Sequence, residues 1–261
     1  MVDLSKRINI AKSFGLASKS YDISARLQRF SGKQLMTWLP NRHDLTVLDL
    51  GCGTGFFTDI LAGRYQKIIG LDISSNMLSF ASSNRNNMIS WLEADAYHLP
   101  LATESVDLVY SNLMIQWCDA LEDVVQEVLR VLKPGGLFIF STLVDGTLHE
   151  LKSSWQQVDN DRHVIDFKTT AQLKHACSLD NSKLLEFNEQ PIVLEYENVM
   201  HLAKELKGLG ANHVPEKLNR GLAGKDKWQQ MMAAYKAFVD ADGVYPATYR
   251  VFSGMVVKLN G

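Results

Sequence analysis

The residues with the clearest chemical potential in this chain are three glycines at alternate positions, Gly51, Gly53 and Gly55, set directly after an acid, Asp49. They join an apolar run of strand length, Thr46 to Leu50, to a segment from Phe56 to Ala62 that repeats apolar residues at helical spacing. This pattern predicts a strand, a tight turn and a helix N-terminus. Glycine there admits positive φ and lets a small ligand reach main-chain N–H groups that a Cβ would shield. The spacing narrows the guest. A dinucleotide fingerprint counted from Gly51 needs glycine where Phe56 stands, and counted from Gly53 needs it where Thr58 stands. A Walker loop needs a lysine after its last glycine, and the next lysine here is Lys67. Neither a pyrophosphate nor a triphosphate is favoured; the bland alternative is a Gly-rich turn that holds nothing.

Two further carboxylates are spaced to extend such a site. Asp72 closes a second apolar run, Lys67 to Leu71, 17 residues beyond Gly55, where a βαβ unit places its next strand end. A carboxylate there can accept from both hydroxyls of a ribose, or it can cap the helix that begins near Ser74. Asp95 follows a third run, Met88 to Glu93. It can accept from the exocyclic amine of an adenine while Ala96 offers a main-chain N–H, or it can serve its own turn. Asn112 ends a fourth run that begins at Val106.

The elements that must position these residues read as alternating strands and helices. Strands are expected near 45–50, 67–72, 88–93, 106–110 and 137–142, with helices after the first, second and fourth. The helix from about Asp119 stops at Lys133-Pro134-Gly135-Gly136. Strands joined by crossovers of helix length give a parallel doubly wound α/β sheet, and such sheets bind ligands at the carboxyl ends of their strands. Asp72, Asp95, Asn112 and the glycine loop all fall there. Ahead of the core, Ser18 to Leu39 reads as one helix with Ile23, Leu27, Phe30, Leu35, Trp38 and Leu39 on its inner face. Beyond Thr142 the alternation fails. Helices are expected over 148–158, 170–177, 199–209 and 225–239, a late strand around Ile192 to Tyr196, a polar stretch over 212–224 and a final strand over 248–258. The chain is expected to form a single domain over 1–261, with an N-terminal helical segment (1–44), a ligand-binding core (45–142), a late strand with a helical cap insertion (143–247) and a last strand (248–261).

The 261 residues, 46% hydrophobic and 21% charged, are those of an ordinary globular protein. No run is long enough for a membrane span, and Lys6-Arg7 is not followed by the apolar stretch of a signal peptide, so a cytoplasmic protein is expected. Cys52, Cys118 and Cys177 are odd in number and widely spaced, which argues against a disulfide framework and against a metal site. The net charge of −2 hides an asymmetry. Up to residue 33 seven bases face Asp3 and Asp22, a net of about +5. At helical spacing Lys19, Asp22, Arg26, Arg29 and Lys33 share one sector, a mostly basic stripe that is either a solvated face or a docking surface for an acidic partner.

Asp49, Gly51, Gly53 and Gly55 resemble motif I of the class I S-adenosylmethionine-dependent methyltransferases, D-x-G-x-G-x-G. Over nearly its whole length the chain is also similar to the malonyl-acyl carrier protein O-methyltransferases of biotin synthesis. Ala25 to Arg29, Leu99 to Ala102, Ser111 to Leu113, Gln116 to Cys118, Thr142 to Val144 with Gly146, Leu206 to Ala211 and Tyr245-Pro246 with Thr248-Tyr249 carry that likeness. One departure is Thr54, where some relatives carry proline, a change that alters only turn stiffness. The resemblance implies a Rossmann-like sheet of order 3-2-1-4-5-7-6 with the last strand antiparallel, plus a helical cap. It implies S-adenosylmethionine held by Tyr21, Gln28, Asp49, Gly51, Cys52, Gly53, Gly55, Asp72, Asp95, Ala96 and Asn112, with S-adenosylhomocysteine as product and no metal. The implied reaction methylates the free carboxylate of a malonyl thioester on acyl carrier protein or coenzyme A; methylation of another carboxylic acid or a quinone, or cofactor binding without catalysis, are the alternatives. A malonyl carboxylate, with a pKa of about 4, is already a nucleophile at neutral pH, so no general base is expected. Tyr21, Gln116, Trp117, Tyr245 and Tyr249 are candidates to position the substrate. Because acyl carrier proteins are acidic, Arg26, Arg29 and Lys33, with Lys204, Lys207 and Arg220 on the cap, become docking candidates; no nucleic acid or membrane partner is expected.

Overall fold

The structure, a computed structural model, describes residues 4–210 and 222–260. Its centre is one seven-stranded sheet of order β3-β2-β1-β4-β5-β7-β6. The strands are β1 (Thr46–Leu50), β2 (Lys67–Asp72), β3 (Ser90–Glu93), β4 (Val106–Asn112), β5 (Leu132–Leu143), β6 (Ser182–Tyr196) and β7 (Tyr245–Lys258). β1 to β5 pair in parallel, while β7 runs antiparallel to both β5 and β6. This is the order and orientation that the methyltransferase likeness implies.

The central strands are apolar on both faces because both faces are covered, which is why they read as continuous apolar runs. Val106, Val109, Phe138 and Phe140 pack against Val124 and Val128 of α5 (Leu121–Val131). On the other face Val47, Leu108, Tyr110 and Ile139 meet Leu35, with Phe57 and Leu61 of α3 (Phe56–Ala62). Each such fully buried side chain stabilises by roughly 1.5–3 kcal/mol, so the strand ends are held on a rigid base. Two further crossover helices complete the layers, α4 (Ser75–Asn84) and α7 (Thr170–Ala176). The last two strands extend beyond the ranges read from sequence. β6 covers all of 182–196, and β7 already begins at Tyr245.

Before the sheet, the single helix expected over 18–39 is two: α1 (Leu4–Ser24) and α2 (Arg26–Leu35), the latter followed by a 3-10 turn, Met36–Trp38. Neither glycine nor proline marks the break. Ala25 leaves helical geometry (φ −87°, ψ 41°), and tertiary contacts hold both sides of it. Ser20 Oγ donates to the Gly208 carbonyl at 3.1 Å, and Arg29 Nη2 donates to the Asp22 carbonyl at 2.6 Å. The break also rotates the faces. Leu27, Leu35 and Leu39 point inward as expected, but Ile23 is 83% and Phe30 47% exposed.

The cap is assembled from two excursions of the chain. α6 (His149–Gln156) precedes β6, whereas α8 (Val199–Gly208) and α9 (Leu222–Tyr235) lie between β6 and β7. They share an apolar cluster, with Leu151 and Trp155, Val199 and Leu202, and Met231 and Tyr235 meeting Leu27 of α2 and Tyr249 of β7. Among the described residues no helix is long and apolar enough to cross a membrane.

Candidate active site

A narrow cleft of about 110 Å³ lies at the carboxyl ends of β1 to β4. Gly51 and Gly53, Asp72, Asp95 and Ala96, and Asn112 line one side, and α1 closes the other with Arg7, Ile10, Phe14 and Tyr21. Gly53 has φ +55°, and a Cβ built on it meets nothing within 4 Å, so its main chain faces open space. That is the cradle a ligand needs for close backbone approach. Gly55 works differently. It caps α3 with φ +72°, and a Cβ there would stand 2.5 Å from the Trp91 ring, so this glycine serves helix packing and does not line the cleft.

Asp72 holds the loop in shape: Oδ2 accepts from Gly53 N at 2.9 Å and Oδ1 from Ser74 N at 2.8 Å. Ser74, not Asp72, is the N-cap of α4. Burial raises the Asp72 pKa, and the backbone N–H bonds oppose that rise. Asp95 serves its own turn, with Oδ1 accepting from Tyr97 N at 3.1 Å, and its carboxylate also lines the cleft and pairs with Arg7. The Arg7 guanidinium also lies 5.0 Å over the Tyr97 ring.

Asn112 reaches the cleft, but its amide is engaged by the scaffold. Oδ1 accepts from Ser31 Oγ and Ser141 Oγ, both at 2.7 Å, and Nδ2 donates to the Gln28 carbonyl at 2.9 Å. Beneath the loop a smaller space is lined by Asp49, Cys52, Tyr21 and Gln28. Asp49 accepts from Thr58 Oγ1 at 2.6 Å, and burial pushes its pKa up to about 7. The Cys52 thiol is pushed up by burial, with Asp72 and Asp49 adding to it. Asp22 fastens α1 across this region, accepting from Thr54 Oγ1 at 2.5 Å and pairing with Arg85.

A larger chamber of about 570 Å³ lies between core and cap. Phe14, Tyr21, Leu113 and Trp117 line both chamber and cleft, so these four form the junction. Leu113 sits there at φ +50°, a left-handed conformation uncommon for a non-glycine residue, with its N–H donating to Ser141 O at 3.0 Å. The Tyr21 hydroxyl is kept protonated by burial and by the nearby Asp72, against a hydrogen bond from Gln28. Gln28 Oε1 is buried with no partner among the described residues. Gln116 lines the chamber but donates to Leu113 O at 2.6 Å and accepts from Thr142 Oγ1 at 3.2 Å. Tyr249 lines it too, buried against Tyr196. Tyr245 does not: it lines neither space and packs 6.1 Å from the Tyr235 ring inside the cap.

Of the α1 wall, sequence reasoning named Tyr21 and missed Arg7, Ile10 and Phe14, although Ile10, Phe14, Ala17 and Tyr21 recur at the spacing of one helix face. It also missed the cap wall, where His163 stacks 3.7 Å from Trp155 and Trp228 packs 5.9 Å from the same ring. No local pattern announces that wall. Asp159, Asp161 and His163 approach closely enough to share an ion, yet Asp159 already takes Lys227 and His163, each at 2.7 Å.

A methyltransferase-domain family model matches residues 48–140. The chain is 43% identical over 250 residues to the biotin biosynthesis bifunctional protein BioHC of Cellvibrio japonicus, covering 95% of this chain and 50% of that one. It is 37% identical over 251 residues to the malonyl-acyl-carrier-protein O-methyltransferase of Yersinia pestis, covering 95% of this chain and 91% of that one. The chain belongs to the malonyl-acyl-carrier-protein O-methyltransferase family. It thus spans half the length of one relative and nearly all of the other. The family's sheet is shared more widely, as the YcgJ protein of Bacillus subtilis superposes with a TM-score of 0.63 over 89% of this chain and 100% of that one at 17% identity.

Proposed function

We infer that this protein transfers a methyl group from S-adenosylmethionine to the free carboxylate of a malonyl group carried on acyl carrier protein, giving the methyl ester that primes pimeloyl assembly for biotin. The observation that carries this reading is the junction: a crevice at the strand ends meets an apolar chamber at Tyr21, in a chain of this family. When bound, S-adenosylmethionine supplies an electrophilic methyl on a sulfonium. Gly51 and Gly53 would hold its amino-acid end through main-chain groups, Asp72 its ribose, and Asp95 with Ala96 its adenine. Fit is supported by the open space at Gly53 and by the Asp72 carboxylate, which lines the cleft beside it.

The acceptor carboxylate needs placement and dehydration, not deprotonation. Tyr21 would orient it, as a neutral phenol can donate to a carboxylate without taking its charge. Gln28, bonded to that phenol, would hold it in place. Phe14, Leu113 and Trp117 would exclude water, which sharpens every electrostatic contact at the junction. Asn112 acts one step back, tying the Gln28 backbone to β4.

The test is direct. Incubating the protein with malonyl-acyl carrier protein and S-adenosylmethionine should add one methyl to the carrier by mass spectrometry. No mass change, alongside cofactor binding seen by calorimetry, would overturn the malonyl reading in favour of another carboxylic acid or a quinone. Absence of cofactor binding would overturn the enzyme reading itself.

A further inference from the structure

Among the described residues, the lining of the cap chamber is most exposed to solvent at one place. Of its lining residues, Asp161 and Arg162 alone are exposed, while all others are buried or half-buried. Arg162 is also the only lysine or arginine among the described residues that line it. The chamber therefore runs from an uncharged junction at Tyr21, past apolar and aromatic walls such as Leu151, Trp155 and Trp228, to a single guanidinium at the mouth.

That charge pattern matches one kind of molecule. A carrier-bound acyl group hangs on a pantetheine arm, an uncharged chain of amides, which ends in a phosphodiester. A malonyl group adds an anion at the far end. The two anions are separated by neutral chain, as Tyr21 and Arg162 are separated by a wall whose one acid, Glu205, is paired with Arg26 at 2.8 Å. We propose that Arg162 binds the phosphate of the substrate's phosphopantetheine arm at the chamber mouth, an assignment that rests on the malonyl thioester reading above.

The neighbouring charges leave the guanidinium available. Its partner is Asp166, at 3.1 Å and one helical turn away in sequence, and the two side chains are 49% and 66% exposed. An exposed pair of this kind contributes little and yields to a better anion, and a guanidinium binds a phosphate through paired N–H donors. Lys152 lies 3.7 Å from the same aspartate and is placed to hold it when Arg162 turns away. Asp161, the other mouth residue, is 3.6 Å from Lys227, which offsets its repulsion of a phosphate.

The experiment compares acceptors that carry the phosphate with one that lacks it. Arg162→Ala should raise KM about tenfold for malonyl-acyl carrier protein and for malonyl-4′-phosphopantetheine, with kcat unchanged. KM for malonyl-pantetheine, which lacks the phosphate, should not move. Arg162→Lys should recover part of the loss. The thermal midpoint and the Kd for S-adenosylmethionine, both expected to stay at wild-type values, report that the fold and cofactor site are intact. An equal rise in KM for malonyl-pantetheine, or no rise for either phosphate-bearing acceptor, would overturn the assignment while leaving the malonyl reading standing. Failure of the wild-type protein to methylate any of the three acceptors would remove both.

Discussion

Burial changes the acid chemistry of Asp49 on folding. An acid held at about 7, against an ordinary 3.8, binds its proton more tightly in the folded chain than in the unfolded one. Its effect on stability is therefore absent below about pH 4, grows more unfavourable as pH rises to about 7, and is constant above that. Asp49→Asn removes this titration and keeps an oxygen for the Thr58 hydroxyl. Urea unfolding should find the variant level with wild type near pH 4 and progressively more stable than wild type up to pH 7, with no further gain at pH 8. A difference that does not change with pH would contradict the buried-acid assignment. At this scale the sequence was readable where a residue's role is set by its immediate neighbours. Asp72, Asp95 and Gly53 stand at strand ends that continuous apolar runs and a glycine turn reveal, and all three line the cleft. Tyr245 failed the same reading because its surroundings come from Tyr235, ten residues earlier and on another element. Arg7 and Arg162 carried no signal, since a lone arginine acquires meaning only from what folds beside it.

Among elements, the core strands and crossover helices were legible because each is locally periodic, whereas the α1–α2 break was not, because contacts from Thr54, Arg85 and Gly208 enforce it. The same dependence makes Asn112 a hinge pin between elements. Its amide joins α2, through Ser31 and the Gln28 carbonyl, to β4 and β5, through its own strand and Ser141. Ser31 and Ser141 are both fully buried; when Asn112 is truncated the Ser31 hydroxyl can turn to the Leu27 carbonyl at 3.1 Å, whereas the Ser141 hydroxyl loses its acceptor. Each buried polar group left unpaired costs roughly 1–3 kcal/mol. Asn112→Ala should thus destabilise by about 1–3 kcal/mol in denaturant titration, and Gln28 and Tyr21 should lose their fixed posture. The second effect separates a positioning role from plain loss of stability: at a temperature where the variant is fully folded, kcat should still fall. A variant with normal kcat but a lowered melting midpoint would confine Asn112 to scaffolding.

For the molecule as a whole, the basic N-terminal region is the feature the sequence displayed and the fold rearranged. Arg26, expected on a docking stripe, instead donates to Glu205 of α8 at 2.8 and 3.0 Å and lies 4.8 Å over the Tyr196 ring, so it joins α2 to the cap. Arg29 is exposed but donates to the Asp22 carbonyl and lies 5.0 Å over the Phe56 ring. Arg220 falls outside the described residues. Lys33 on α2 and Lys204 and Lys207 on α8 are exposed, and they are the better probes of a docking surface because reversing them disturbs no bridge between elements. Charges at the rim of an interface act mainly on encounter and are screened by salt, with a Debye length of about 10 Å at 0.1 M. If an acidic carrier protein approaches this side, Lys33→Glu combined with Lys204→Glu and Lys207→Glu should raise KM for malonyl-acyl carrier protein roughly tenfold at low salt, and the loss should shrink as salt is added. Malonyl-coenzyme A, which brings no protein surface, should be methylated as well by the variant as by wild type. The contrast with Arg162→Ala then separates two recognition steps: the lysine reversals act only on the carrier's surface, whereas the guanidinium acts on any acceptor that bears the arm's phosphate. Losses of equal size on carrier protein and coenzyme A substrates would place the lysines outside docking and move carrier recognition to the chamber mouth.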